Sequence, residues 1–123
     1  MWRDFFPNAQ IYGMDIVEEA MFFGDRIQTF LGNQGLQEDL DRMLEKTGKD
    51  IDIVIDDGSH YYRHQVFTCK YLMSVLKEDV LYIIEDVGSN RTIETLAKSF
   101  NCSMITFAGR SEREDRLLIV CGK

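Results

Sequence analysis

Two apolar runs in this sequence end in groups whose types and spacing could do chemistry. Ile51, Ile53, Val54 and Ile55, read as a strand over residues 51–55, lead into Asp56, Asp57, Gly58, Ser59 and His60, and the run Val80–Ile84 leads into Glu85 and Asp86. A β-branched run that stops abruptly at polar residues is how a buried parallel strand delivers side chains to its carboxyl end. Ligands of open α/β sheets bind just outside those ends. If the two strands are neighbours, Asp56, Asp57, Glu85 and Asp86 converge on one rim. Carboxylates brought together repel unless a cation or protons compensate. Their hard oxygens suit a cation such as magnesium.

The elements that must position these groups read as alternating strands and helices. Met1–Phe6, stopped by Pro7, reads as the end of a helix. Residues 9–16 read as a strand ending near Asp15, residues 18–23 as a short helix, and residues 26–31 as a second strand followed by a turn at Gly32, Asn33, Gln34 and Gly35. Leu36, Leu40, Met43 and Leu44 recur at helical spacing up to Thr47, with Gly48 as the stop. After the central strand, Ser59 is placed to cap a helix running to about Leu76, with Val66, Phe67, Cys69, Tyr71, Leu72, Met73 and Leu76 on its apolar stripe. A strand over residues 81–84, a short helix over 92–100 with Ile93, Leu96, Ala97 and Phe100 inward, and strands over 104–107 and 117–120 complete the chain. The last connection is too short for a parallel crossover, so the final strands form an antiparallel hairpin. The alternation predicts an α/β fold: a Rossmann-like three-layer sandwich with a mostly parallel sheet and a C-terminal antiparallel hairpin.

The 123 residues have the size of one domain, and 45% hydrophobic against 28% charged content is a globular composition. A net charge of −7 argues against a nucleic-acid partner, since such proteins carry basic patches. No apolar run approaches the length of a membrane span, and the first residues lack the layout of a signal peptide. Cys69, Cys102 and Cys121 match no zinc pattern and read as reduced, buried thiols of a cytoplasmic protein.

In order and spacing, the stretches FFPNAQIYGMDI, GNQG, DIDIVIDDGSH and LYIIEDV resemble the class I S-adenosylmethionine-dependent methyltransferases. Within that class they look most like the magnesium-dependent macrocin and mycinamicin sugar O-methyltransferase group. The resemblance runs from Met1 to about Val87, and the rest fits only the general fold. It implies S-adenosyl-L-methionine and Mg2+ as cofactors and a small-molecule sugar or glycoside as acceptor. Asp57, Glu85 and Asp86 would be the metal ligands, and His60 the general base on the acceptor hydroxyl. Asp15 would lie by the cofactor ribose, with Gly32, Asn33, Gln34 and Asp56 also in the cofactor-contacting set. In the family a first strand and a glycine-rich loop precede this stretch, and no G-x-G-x-x-G occurs here. Residues 1–123 are thus expected to form a single N-terminally truncated methyltransferase-like domain with the first strand absent.

Plainer readings stand beside these. Asp56 at a strand end can simply cap the next helix. His60 and His64 have the H-x-x-x-H spacing of a helical zinc pair, but with no third ligand nearby. Tyr61 and Tyr62 suit an acceptor pocket or ordinary packing, and residues 111–116 a solvated hairpin turn. The alternative to an enzyme is a non-catalytic methyltransferase remnant, or one piece of a split or self-associating assembly that pairs through exposed sheet edges and does not bind the cofactor alone.

Overall fold

The computed structural model describes residues 1–107 and 116–122. The chain divides into two compact units, Met1–Thr47 and Gly48–Lys123. Among the described residues, no helix is long and apolar enough to cross a membrane.

The first unit opens with a short helix, α1 (Trp2–Phe5), followed by β1 (Ile11–Asp15), a single 3-10 turn at Glu18–Ala20, β2 (Phe23–Gly24), β3 (Ile27–Leu31) and α2 (Gln37–Thr47). β1 and β3 run parallel, with Ile11 opposite Ile27 and Asp15 opposite Leu31, and β2 lies antiparallel on the other edge of β3. The helix expected over residues 18–23 is therefore only one turn, and Phe23 and Gly24 join the sheet instead. The chain reverses between β2 and β3 through Arg26, at φ 57. From there the Arg26 guanidinium donates hydrogen bonds to the carbonyls of Arg3, Phe6 and Ala9 at 3.1, 3.0 and 2.9 Å, which ties α1 and the following turn to the start of β3. In α2, Glu38 and Asp39 lie in the first turn and Lys46 in the last, as the helix dipole favours. Leu40 and Leu44 are its buried residues. Gly48 follows at φ 75, a conformation that disfavours a Cβ.

The second unit contains β4 (Ile53–Asp56), α3 (Tyr62–Val75), β5 (Leu81–Ile84), α4 (Asn90–Leu96), β6 (Asn101–Thr106) and β7 (Arg116–Cys121). Its sheet has the order β4-β5-β7-β6. β4 and β5 are parallel, and β7 is antiparallel to both β5 and β6. The expected terminal hairpin is present as β6 and β7, longer at both strands than the sequence pattern indicates, while residues 111–115 of its turn lie outside the described residues. The core holds Leu72, Val80, Tyr82, Ile84, Val87, Leu96, Leu118 and Val120. Complete burial of a side chain such as Leu96 or Leu118 contributes about 1.5–3 kcal/mol.

α3 differs from its expected stripe in an informative way. Its buried residues are Gln65, Thr68, Cys69, Leu72 and Met73, a helical face that begins with two polar side chains. Val66, Phe67 and Tyr71 are only half-buried. In α4 the inward polar residue is Thr92, and Ala97 is exposed. Of the three thiols expected to be buried, Cys69 is, Cys102 is half-buried and Cys121 is exposed. Burial, with the charge of Asp56 second, pushes the Cys69 thiol far above its ordinary pKa, so it is inert.

Candidate metal centre and its surroundings

β4 places Asp56 and Asp57 on opposite sides of the chain, as the two-residue period of a strand requires. Asp56 turns inward and is 8% exposed. The Tyr82 hydroxyl donates to its Oδ2 at 3.1 Å, and the Gly58 amide donates to its Oδ1 at 3.4 Å. Burial and the Asp56 charge hold the Tyr82 phenol protonated, well above its usual range, which keeps it a donor. Asp56 is thus the anchor of the turn after β4. Asp57 turns outward, exposed, and accepts no hydrogen bond from any described side chain or amide.

The turn then carries His60 back over the end of β5. His60 Nε2 lies 3.9 Å from Asp86 Oδ2, with both side chains substantially exposed. One ligand atom from each of Asp57, His60 and Asp86 lies within 4.8 Å of the others. Glu85 stands beside this group: burial, then the charges of Asp57 and Asp86, raise its carboxyl above the ordinary pKa. Asp86 has φ 49, a left-handed conformation that asparagine and aspartate tolerate better than most residues. Two hard carboxylates with ligand atoms within 4.8 Å of each other and of an imidazole, with the Glu85 carboxyl adjacent, are the ligand type that a magnesium ion takes. His64 belongs elsewhere. Its Nδ1 is 2.9 Å from Ser59 Oγ, so the H-x-x-x-H spacing does not bring the two imidazoles into one cluster. Ser59 does not cap α3: the capping position is Tyr61, without a side-chain bond, and Ser59 Oγ accepts from the Tyr61 amide at 3.4 Å.

In the first unit, Asp15 closes β1 and its Oδ1 accepts from the Val17 amide at 2.9 Å. Asp15 also lines a cavity of about 210 Å3 with Gly13, Met14, Ala20, Met21 and Thr29. The Gly32 amide continues the β1–β3 ladder by donating to the Asp15 carbonyl at 2.9 Å. Asn33 is held at both ends, its amide donating to Asp39 Oδ2 at 2.7 Å and its Oδ1 accepting from the Gly35 amide at 2.8 Å. A Cβ at Gly32 would meet the Met14 sulfur at 3.0 Å, so this turn passes close over β1.

No protein-family model matches the chain. Among curated proteins, it is 42% identical over 87 residues to mycinamicin VI 2''-O-methyltransferase of Micromonospora griseorubida, and 37% identical over 87 residues to demethylmacrocin O-methyltransferase of Streptomyces fradiae. Each match covers 71% of this chain and 22% of the relative. The chain is related to the macrocin- and mycinamicin-type sugar O-methyltransferases.

Solved structures agree. MycE methyltransferase of the mycinamycin pathway, in complex with Mg, SAH and mycinamycin VI, matches with a TM-score of 0.75 at 26% identity, over 98% of this chain and 38% of that one. The N-methyltransferase NodS of Bradyrhizobium japonicum matches with a TM-score of 0.65 at 12% identity, a likeness of fold alone, over 99% of this chain and 79% of that one. The Rossmann-like α/β fold expected from the alternating elements is the fold of these methyltransferases, but in place of one mostly parallel sheet the described strands form two mixed sheets, with two parallel and three antiparallel pairings. The chain spans about a fifth of the length of the curated sugar O-methyltransferases it matches.

Three residues around the centre escape a reading of the sequence. Tyr82 sits in an apolar run and reads as core, yet its hydroxyl is the partner of Asp56. Gln65 and Thr92 lie outside the apolar stripes expected for their helices but are 1% and 0% exposed. The available signal was the i, i+3, i+4, i+7 face Gln65-Thr68-Cys69-Leu72, which is a better helical stripe than the purely apolar one.

Proposed function

We propose that this chain carries the metal and base chemistry of a magnesium-assisted, S-adenosylmethionine-dependent O-methyltransferase acting on a sugar or glycoside hydroxyl. The observation that carries the reading is the Asp57–His60–Asp86 cluster at the carboxyl ends of two parallel neighbours, β4 and β5. Asp57 and Asp86 would hold the cation, with Glu85 completing the acidic rim. A bound cation supplies Lewis-acid stabilisation of a developing alkoxide. His60, exposed beside the carboxylates, accepts the hydroxyl proton, a role worth about 10²–10⁴-fold in such reactions. Asp86 Oδ2 lies 3.9 Å from its Nε2. Asp15 and the turn Gly32-Asn33-Gln34 are read as cofactor-contacting residues of the first unit, Asp15 because it lines the cavity at the end of β1. Asp56 supports the site from beneath. The reading treats residues 1–123 as one methyltransferase-like domain in the cytoplasm, with a small-molecule acceptor.

Calorimetric titration of S-adenosylmethionine into the 123-residue chain, with and without magnesium, tests it. Micromolar binding is the expected outcome, and His60→Ala should slow methyl transfer to a rhamnoside or macrolide glycoside while leaving metal affinity nearly unchanged. A well-folded sample silent toward the cofactor would reject the enzyme reading for this chain.

That outcome would favour a second reading, a non-catalytic or assembly-dependent unit. Its support is that β1 and β4 each end a sheet as a parallel strand with one partner among the described residues. Parallel edges are normally covered on both sides. Mass by size exclusion with light scattering separates a monomer from a self-paired dimer.

A further inference from the structure

The buried amide of Gln65 has no place in the chemistry just described, yet it reaches the backbone of the centre. It lies in the first turn of α3 and is 1% exposed. Its Nε2 donates to the main-chain carbonyl of Glu85 at 3.2 Å, and its Oε1 accepts from the hydroxyl of Thr92, on α4, at 3.3 Å. Thr92 is fully buried. A primary amide is costly to bury and is kept only where its donors and acceptors are met. This one grips a carbonyl.

What it grips is the residue before a backbone reversal. The Glu85 amide donates to the Asp56 carbonyl at 2.9 Å, so Glu85 is fixed on its amino side by β4 and on its carbonyl side by Gln65. The Val87 amide is fixed in turn by the Arg116 carbonyl at 3.1 Å. Between these clamps Asp86 takes φ 49. Aspartate tolerates that conformation better than most residues, but it still costs energy that the surroundings must offset. The reversal breaks the alternation of β5 and brings the Asp86 carboxylate to His60 and Asp57.

We infer that Gln65, itself oriented by Thr92, is a positioning residue that holds the Glu85–Asp86 turn in its left-handed form and so places the Asp86 carboxylate in the metal cluster. The inference rests on the metal-centre reading for its consequence, but the turn geometry can be tested without metal.

Two measurements on the full chain decide it. The first is Mn2+ affinity, followed by electron paramagnetic resonance. Gln65→Leu should weaken it about tenfold to a hundredfold, the usual effect of losing an outer-sphere partner. Thr92→Val should weaken it less, and Thr92→Ser, which keeps the hydroxyl, should restore it. Leu72→Val, a core change in the same helix, should leave it unchanged. The second is a metal-free cycle of urea midpoints. Asp86→Gly should raise the midpoint relative to Asp86→Asn, which removes the same charge, and that gain should shrink in the Gln65→Leu background. If Gln65→Leu does not fold, Thr92→Val takes its place in both measurements. Unchanged Mn2+ affinity in Gln65→Leu, or an Asp86→Gly gain identical in both backgrounds, would reduce Gln65 to a core residue and overturn the inference. If the wild-type chain binds no Mn2+, the metal reading fails by itself and the urea cycle still decides whether Gln65 sets the turn.

Discussion

The end of β1 and the ends of β4 and β5 present the same kinds of residue and use them differently. Around β1, the polar groups are absorbed by their own turns: Asp15 bonds the Val17 amide, and Asn33 bonds the Gly35 amide and is bonded by Asp39. Around β4 and β5, the polar groups that hold the backbone are buried ones, Asp56 with Tyr82 and Gln65 with Thr92. Asp57, His60 and Asp86 are left facing one another, with His60 and Asp86 3.9 Å apart. A carboxylate that caps its own turn has given up part of its capacity to bind anything else. One held out by neighbours that bear the structural hydrogen bonds keeps it. The lesson is that the reactive residues of the second unit are legible by what they do not do.

The comparison breaks most sharply on metal affinity. Asp57→Ala combined with Asp86→Ala should lower Mg2+ or Mn2+ affinity by more than the roughly hundredfold upper range of outer-sphere changes. Asp15→Ala should leave it unchanged, and titration calorimetry reads both. An acidic cluster that retained its metal response in the double variant would not be a metal centre. Tyr82→Phe comes next. It strips a donor from a buried carboxylate and should cost about 1–3 kcal/mol in urea unfolding. Asp15→Ala removes one exposed turn bond and should cost less, on the order of 0.5–1 kcal/mol, so the ratio of these two losses measures how differently the regions are built.

The smallest effect is expected at Glu85. Burial, then the charges of Asp57 and Asp86, raise its pKa in the folded state. A carboxyl raised in this way contributes stability that is fully present below the ordinary carboxylate pKa and is lost as pH rises through the folded value. Glu85→Gln should therefore raise the metal-free urea midpoint near neutrality, and the gain should fade as pH falls into the ordinary carboxylate range. A gain independent of pH would mean that Glu85 does not feel the cluster.

Much of this was legible in the sequence because strands and helices write their periods directly. The polar endings of β4 and β5, the α2 pattern with Gly48 behind it, and the closing hairpin all appear in the structure within a few residues of their expected positions. The short second element was misread because Phe22 and Phe23 suit a helix or a strand equally. What decided for the strand is the partner: β3 offers Phe23 and Gly24 a free antiparallel edge, with Phe23 opposite Gln28. A pairing between segments is not a property of either one.

By itself, the sequence determined that two apolar strands end in carboxylates, that a histidine follows the first, and that these elements belong to an α/β fold related to sugar O-methyltransferases. Only the tertiary structure decided how the four carboxylates divide. Asp56 goes inward because Tyr82, on the adjacent strand, has a hydroxyl to give it, and Asp57 goes outward because adjacent strand residues must alternate. Asp86 joins them because the backbone reverses at its own φ, with Glu85 before it gripped by the amide of Gln65, twenty residues earlier in the chain. Local pattern fixes which residues reach a strand end. Which of them remain free to bind depends on hydrogen bonds from distant elements, and no local pattern encodes those.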